Sequence, residues 1–481
     1  MQKYIAYQIT KLLIDNDRAI LLLLDWSGDE LPKENEIHSM RPLFMDFNPL
    51  FGKRLCIYDV KPKVPRNYIL AGNIPPLSDE YTQFSNLTWE YDDDIYHQLK
   101  WMEIPEEKRN AFESAIKCDK KIMLSGQEVP AASFRIEDSG LDFKSAMELG
   151  ALPCLSILHC ERWHDDLCEY VRSNPFLRIL DLRNHGHKSL DFRGSRLERL
   201  SIQMDTVEEI YLNDEMEKLS LTRNIDHAFV VHAKDGGKRL LLQSDMFVAE
   251  CGLPNLGGLH CSGLGEFDMS KVVAAYPELW ELRLWGKPGY IRNFRDVSLL
   301  KNLEKFSTDN LFGFTAEDIP EPDEMPKLNW FWMSSLPEDA AKAARRLYKK
   351  PSENGLDLWI GMARKPEWLR ENLDNPFRDW DGQEHISTTN ARKAAAQYRK
   401  TRSEILKLVE NHPDDLMIKM EGIVRDYAEA FNKMDKRKNF IETVEREQIF
   451  EVLDGLLRLI PESFDFDKNT MLELFEGTRD F

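Results

Sequence analysis

The sequence predicts an α/β fold whose centre is a repeat solenoid. Three observations carry this prediction. A leucine-spaced segment recurs between residues 131 and 336, its interval is nearly constant, and neither flank contains it. Such periodicity outranks local propensity, because each repeat is one structural unit stacked on the next.

Four copies fit L-x-x-L-x-L, with Ile or Met replacing one Leu in two of them: Leu177–Leu182, Leu197–Ile202, Met216–Leu221 and Leu279–Leu284. Weaker copies surround Leu158, Leu240, Leu259, Phe306 and Phe331, and Phe134 with Ile136 suggests a first strand. Anchored on Leu158, Leu180, Leu200, Leu219, Leu240, Leu259, Leu282, Phe306 and Phe331, successive intervals run from 19 to 25 residues. That matches the roughly 20–29 residues of leucine-rich repeats. The expectation is an irregular horseshoe of about nine coils over 131–336. Asn224 fills the turn position where such repeats place Asn or Cys, whereas His185, Asp205, Lys287, Leu311 and Leu336 do not. Short coils leave little room for a helix, which rises only ~1.5 Å per residue. The middle returns therefore read as β-like, at Ile210–Leu212 and Phe229–Val231. The outer ones read as helical, at His164–Val171, Met269–Ala275 and Arg295–Leu300.

Residues 1–130 read as an α+β capping domain. β-like runs lie at Ile20–Leu24, Leu55–Val60, Tyr68–Ala71 and Leu87–Tyr91, and a helix at Glu106–Lys117. An open solenoid end exposes apolar core and needs such a cover. Residues 337–481 read as an all-α domain, with Leu416, Met420, Ile423, Val424, Tyr427 and Phe431 on one helical face. The acidic runs Asp92–Asp94 and Glu321–Glu324 read as solvated loops.

Composition bounds the function. The 481 residues carry a net charge of −19, which disfavours nucleic acid and anionic membrane as partners. The longest apolar run, Ile20–Leu24, is far too short for a membrane span. Seven cysteines, an odd number with no C-x-x-C spacing, read as free thiols of a reducing compartment, so the expected location is the cytoplasm. Phosphate-loop, dinucleotide, H-E-x-x-H and G-x-S-x-G signatures are missing from the sequence, and no enzyme activity or cofactor is expected. The metal-ligand candidates are Cys160, His164 and Cys168. Against them stands packing: Cys160 holds an inward strand position and Cys168 an apolar helix stripe, so no metal site is expected. The cysteine-dependent ubiquitin-ligase chemistry of some bacterial repeat proteins fails too, because every cysteine precedes residue 262.

Two further stretches stand out, Arg364-Lys-Pro-Glu-Trp-Leu369 and Asn375-Pro-Phe-Arg-Asp-Trp-Asp-Gly382. With the repeats, they make the chain resemble uncharacterised bacterial cytoplasmic leucine-rich-repeat proteins with a C-terminal helical domain. That resemblance implies a repeat fold and no catalytic residues.

On each repeat strand, residues alternating with the leucines face the concave side. This places Asp181, Arg183, His260, Arg283, Trp285, Trp330 and Trp332 on an open surface, with Arg199, Lys218 and Lys305 adding basic charge. Trp and Arg dominate interface energetics. The expected function is a scaffold that binds a partner protein or peptide there, an acidic one by charge. The alternatives are an enzyme or nucleotide-binding switch in a terminal domain, and an immunity- or antitoxin-type binder.

Overall fold

The computed structural model describes residues 4–13, 17–46, 53–66, 68–80, 89, 92–118, 120–141, 144–223, 225–372, 374–411, 415–436, 439–461, 464 and 466–481. Leu87–Tyr91, apart from Trp89, and the turn residue Asn224 lie outside these. The chain divides into two compact units, Met1–Ala363 and Arg364–Phe481.

The first unit is mixed α/β and is organised by an eleven-stranded sheet. In chain order its strands are Arg135–Glu137, Ile157–Cys160, Ile179–Leu182, Arg199–Gln203, Lys218–Thr222, Leu241–Ser244, Gly258–Asp268, Glu281–Arg292, Lys305–Phe312, Trp330–Ser334 and Asp357–Ile360. Spatial order follows chain order, and each strand is parallel to the next. Parallel neighbours require a crossover between them, and the leucine spacing sets its length.

Register aligns the anchors in one row: Leu158, Leu180, Leu200, Leu219, Leu242, Leu259, Leu282, Phe306 and Phe331. All nine are at most 1% exposed, so this row is the dry side of the sheet. Burying each such side chain contributes roughly 1.5–3 kcal/mol. One anchor differs from the sequence reading. Leu242, not Leu240, pairs with Leu219. A turn through Asp235, Gly236 and Gly237, with φ of 51°, 65° and 85°, inserts residues before that strand.

The returns vary along the sheet as the coil lengths suggest. Ser189–Asp191, Glu209–Tyr211 and Val230–His232 form a small parallel sheet behind the middle coils. Helices Leu167–Ser173 and Met269–Ala275 and the 3-10 segment Phe294–Leu299 serve the outer ones. The sequence reading ends the repeats at residue 336. Instead the helix Glu338–Glu353 packs its buried alanines on the core and returns Asp357–Ile360 as the eleventh strand. The boundary between compact units accordingly falls after Ala363.

Residues 92–131 pack on the first coils. Trp101, Ile104 and Phe112 bury against Cys154 and Phe176 in a shared apolar cluster. Asp92–Asp94 begin a helix, Asp92–Met102, rather than a loop. Strands Tyr4–Leu13, Arg18–Gly28 and Ile57–Val60 form a separate antiparallel sheet. Tyr68–Ala71 is not a strand but a loop, with the Tyr68 ring 5.1 Å from that of Trp89.

The second unit is helical among its described residues, with long helices Thr388–Asn411, Leu416–Asp435 and Thr443–Leu457. Phe377 and Trp380 fill its core against Phe431, and Trp380 Nε1 donates to Gln448 Oε1 at 2.7 Å. The Trp-rich stretch is thus packing material: Trp368 Nε1 also donates to Asp381, whose carboxylate accepts from Arg364.

Candidate functional site

Beside the leucine row lies a row on the solvent side of the sheet. It runs His159, Asp181, Ser201, Ser220 and Gln243 over the first strands, then His260, Arg283, Ser307, Trp332 and Trp359. A neighbouring row holds Arg199, Lys218, Leu241, Gly258, Glu281, Lys305 and Trp330. The strand alternation places these side chains opposite the leucines.

The first strands satisfy their own charges. Asp181 Oδ2 accepts from Arg183 Nη2 at 2.8 Å and lies 3.2 Å from His159 Nδ1. Burial pushes the Asp181 carboxyl up, but these hydrogen bonds carry it below the ordinary carboxylate range. Arg183 also reaches Glu161 at 3.9 Å. Asp181 and Arg183 are therefore partners of each other before they are partners of a ligand.

The last strands present aromatics. Trp285 is 37% exposed, Trp332 38% and Trp359 46%. Trp330 and Trp332 stack at 4.7 Å, and Trp332 and Trp359 lie 5.8 Å apart. The Arg283 guanidinium sits 5.1 Å over the Trp330 ring while its Nε donates to Glu281 Oε1 at 2.6 Å. Trp359 was missed because the repeat pattern was ended too early. The alternation Leu356-Asp-Leu358-Trp-Ile360 is the signal that marks it.

His260 shares the row but is only 7% exposed, with its ring edge-on to Trp285 at 4.2 Å. Burial, then the nearby Arg283 and Lys218 charges, lower its pKa to about 4, so it is neutral at pH 7. Its Nε2 is buried without a hydrogen-bond partner among the described residues, as is Oε1 of Gln243 on the adjacent strand. Lys218 is shifted down by burial and by Arg199 and Arg283.

The metal-ligand candidates are dispersed in role. Cys160 is buried in the sheet core, where burial pushes its thiol far up, and Cys168 packs at the core margin. Among the described residues no three His, Cys, Asp or Glu side chains gather as a metal site. His185, which departs from the repeat turn pattern, does the work of the missing Asn. Its Nε2 donates to the Gln203 carbonyl at 2.8 Å and its Nδ1 accepts from the His187 amide at 3.1 Å.

Described residues before Tyr81 contact the edge of the long sheet where its strands begin. Asp29 pairs with Arg239 at 3.0 Å, Arg66 Nε donates to the Asn354 carbonyl at 2.6 Å, and Lys63 Nζ to that of Ser352 at 3.2 Å. Nearer the first coils, Lys100 pairs with Glu215, Glu103 with Arg196 and His97 with Arg178. Between this arm and the sheet is a cavity of about 2800 Å³, with Arg199, Lys218 and Lys305 in its wall.

No protein-family model and no curated protein matches the chain. Among solved structures, the functional domain of InlJ from Listeria monocytogenes, described as including a cysteine ladder, aligns at 14% identity and a TM-score of 0.23. The alignment covers 51% of this chain and 46% of that one. A likeness of this size carries no argument about fold or function. No helix among the described residues is long and apolar enough to cross a membrane.

Proposed function

We propose that the long parallel sheet and its returns are an irregular leucine-rich-repeat solenoid. It acts as a cytoplasmic scaffold, not an enzyme, and binds a partner protein on the solvent-side face of its strands. Arg283, Trp285 and Trp332 are the centre of that surface, and Trp359 extends it. The observation that carries this reading is the exposed tryptophans of the last strands, Trp332 and Trp359 with rings 5.8 Å apart and Trp285 two strands away, with Arg283 laid over Trp330. Exposed, contiguous aromatic surface is unfavourable in water and becomes favourable when a partner covers it. Burial raises Cys154 to about 11 and Cys261 to about 12, so these two thiols are held away from the nucleophilic thiolate.

The test is affinity purification with mass spectrometry, comparing the native chain with Trp285→Ala plus Trp332→Ala. Loss of a specific partner with the fold intact by circular dichroism is the expected result. An unchanged set of captured proteins defeats the proposal.

A further inference from the structure

The cations of the sheet face have acids of their own chain beside them. Arg283 Nε donates to Glu281 Oε1, Lys218 feels the same carboxylate, and Arg199 and Lys305 stand near Glu198 and Glu304. Asp357 on the last strand is the opposite case. It is exposed, and it makes no ion pair within 4 Å among the described residues.

Three times among its described residues this chain lays a guanidinium over an aromatic ring and bonds it to a carboxylate. Arg283 lies 5.1 Å over Trp330 and donates to Glu281 at 2.6 Å. Arg193 lies 4.7 Å over Tyr211 and forks onto Asp191 at 3.0 and 2.7 Å. Arg364 lies 3.9 Å over Trp368, and both donate to Asp381. The electron-rich ring face and the carboxylate attract the same cation, and a planar guanidinium meets both at once.

Asp357 and Trp359 supply the carboxylate and the ring of a fourth such group, without the arginine. They stand two residues apart on one strand, so both project from the solvent side, roughly 7 Å apart. Their register partners are Trp330 and Trp332. The carboxylate thus holds one corner of a square whose other corners are indoles. Trp330 already carries Arg283, whereas no cation lies over Trp332 or Trp359 among the described residues. Trp359, at 46%, is the most exposed tryptophan of this face. Lys305 is two strand spacings from Asp357, about 10 Å, and does not answer it. The chain's net charge of −19 also favours a basic partner.

We infer that Asp357 and Trp359 form a subsite for an arginine side chain of a partner protein. The guanidinium lies on the Trp359 indole and donates to the Asp357 carboxylate. This rests on the reading of the sheet face as a partner-binding surface and names what the partner presents there. Lysine fits less well, because its compact, strongly hydrated ammonium lacks the planar fork.

The test is NMR on the full chain labelled with 15N-tryptophan. The Trp359 indole N–H resonance is the one missing from Trp359→Phe. The probes are 12-residue Gly/Ser peptides carrying two adjacent Arg, two Lys or two Glu. The Arg peptide should shift that resonance to saturation, the Lys peptide should bind about five-fold more weakly, and the Glu peptide should leave it unmoved. Asp357→Asn should weaken the Arg peptide about three-fold. Circular dichroism checks that each variant folds. A resonance unmoved by the Arg peptide, equal binding of the Arg and Lys peptides, or indifference to Asp357→Asn each overturns the inference. If it falls while the Trp285/Trp332 variant still loses a captured partner, the scaffold reading stands without it.

Discussion

The two halves of the sheet share one dry face and differ on the other. On the first strands the solvent side is ionic and internally matched, as in the His159–Asp181–Arg183 group. On the last strands it is aromatic, with Trp285, Trp332 and Trp359 exposed and Trp332 beside Trp359. Matched exposed ions have little left to offer a partner, since such pairs contribute about 0–1 kcal/mol. Uncovered indoles keep their burial free energy until a partner arrives. One sheet thus carries an internally matched ionic stretch and an uncovered aromatic stretch, with the alternate residues changed.

Neighbouring residues give the strongest challenge to this contrast. Phe331 is fully buried, 5.7 Å from Phe306 and 4.7 Å from Tyr348 in ring separation, whereas Trp332 points the other way. Phe331→Ala should cost about 3–5 kcal/mol in urea unfolding. Trp332→Ala should cost under about 1 kcal/mol. Equal losses would mean that the two faces are not distinct.

The next effect is on association. Trp285→Ala or Trp332→Ala should each weaken partner binding by about 2 kcal/mol in calorimetry, while Arg183→Ala should shift it by less than about 0.5 kcal/mol. Comparable losses from both halves would erase the contrast.

His260 sharpens it through pH. Its folded pKa of about 4 lies below the ordinary value of 6.5. Between those values the unfolded chain binds more protons, so stability falls as pH drops through that window. His260→Gln should flatten this part of the stability-versus-pH curve, measured by urea unfolding from pH 7 to pH 4. An unchanged slope would place His260 in solvent.

Asp181 gives the smallest effect, at lower pH. Its carboxyl is held below the ordinary range, net of burial, by Arg183 and His159. The stability it contributes is present above the unfolded pKa of ~3.9 and is lost as pH falls through the lower folded value. The stability gap between native chain and Asp181→Asn should therefore be open at pH 7 and close as pH falls through the lowered folded value. A gap unchanged at low pH would show that the pair is not electrostatic.

Much of the sheet was legible because its signal is local and repeated. Leu180, Leu200, Leu219 and Leu282 each sit three residues after an apolar residue, and all four lie in the buried row. The same alternation sent Arg283, Trp285 and Trp332 to the solvent side. His260 was read as exposed, but the neighbouring Trp285 ring covers it, and that contact joins adjacent strands. Leu240 was preferred over Leu242 because a motif count cannot see the left-handed turn before it. Trp359 escaped because a 16-residue helix breaks the interval.

The sequence by itself determined which residues alternate and where most of the long sheet's strands fall, since alternation along a strand depends only on neighbours in the chain. Tertiary structure alone decided how the N-terminal arm lies along the sheet. Its Arg66–Asn354 hydrogen bond joins residues 288 apart, and single polar contacts at that separation leave no periodic trace. It also decided which charges meet: Arg199 and Lys218 become neighbours only when their two strands pair.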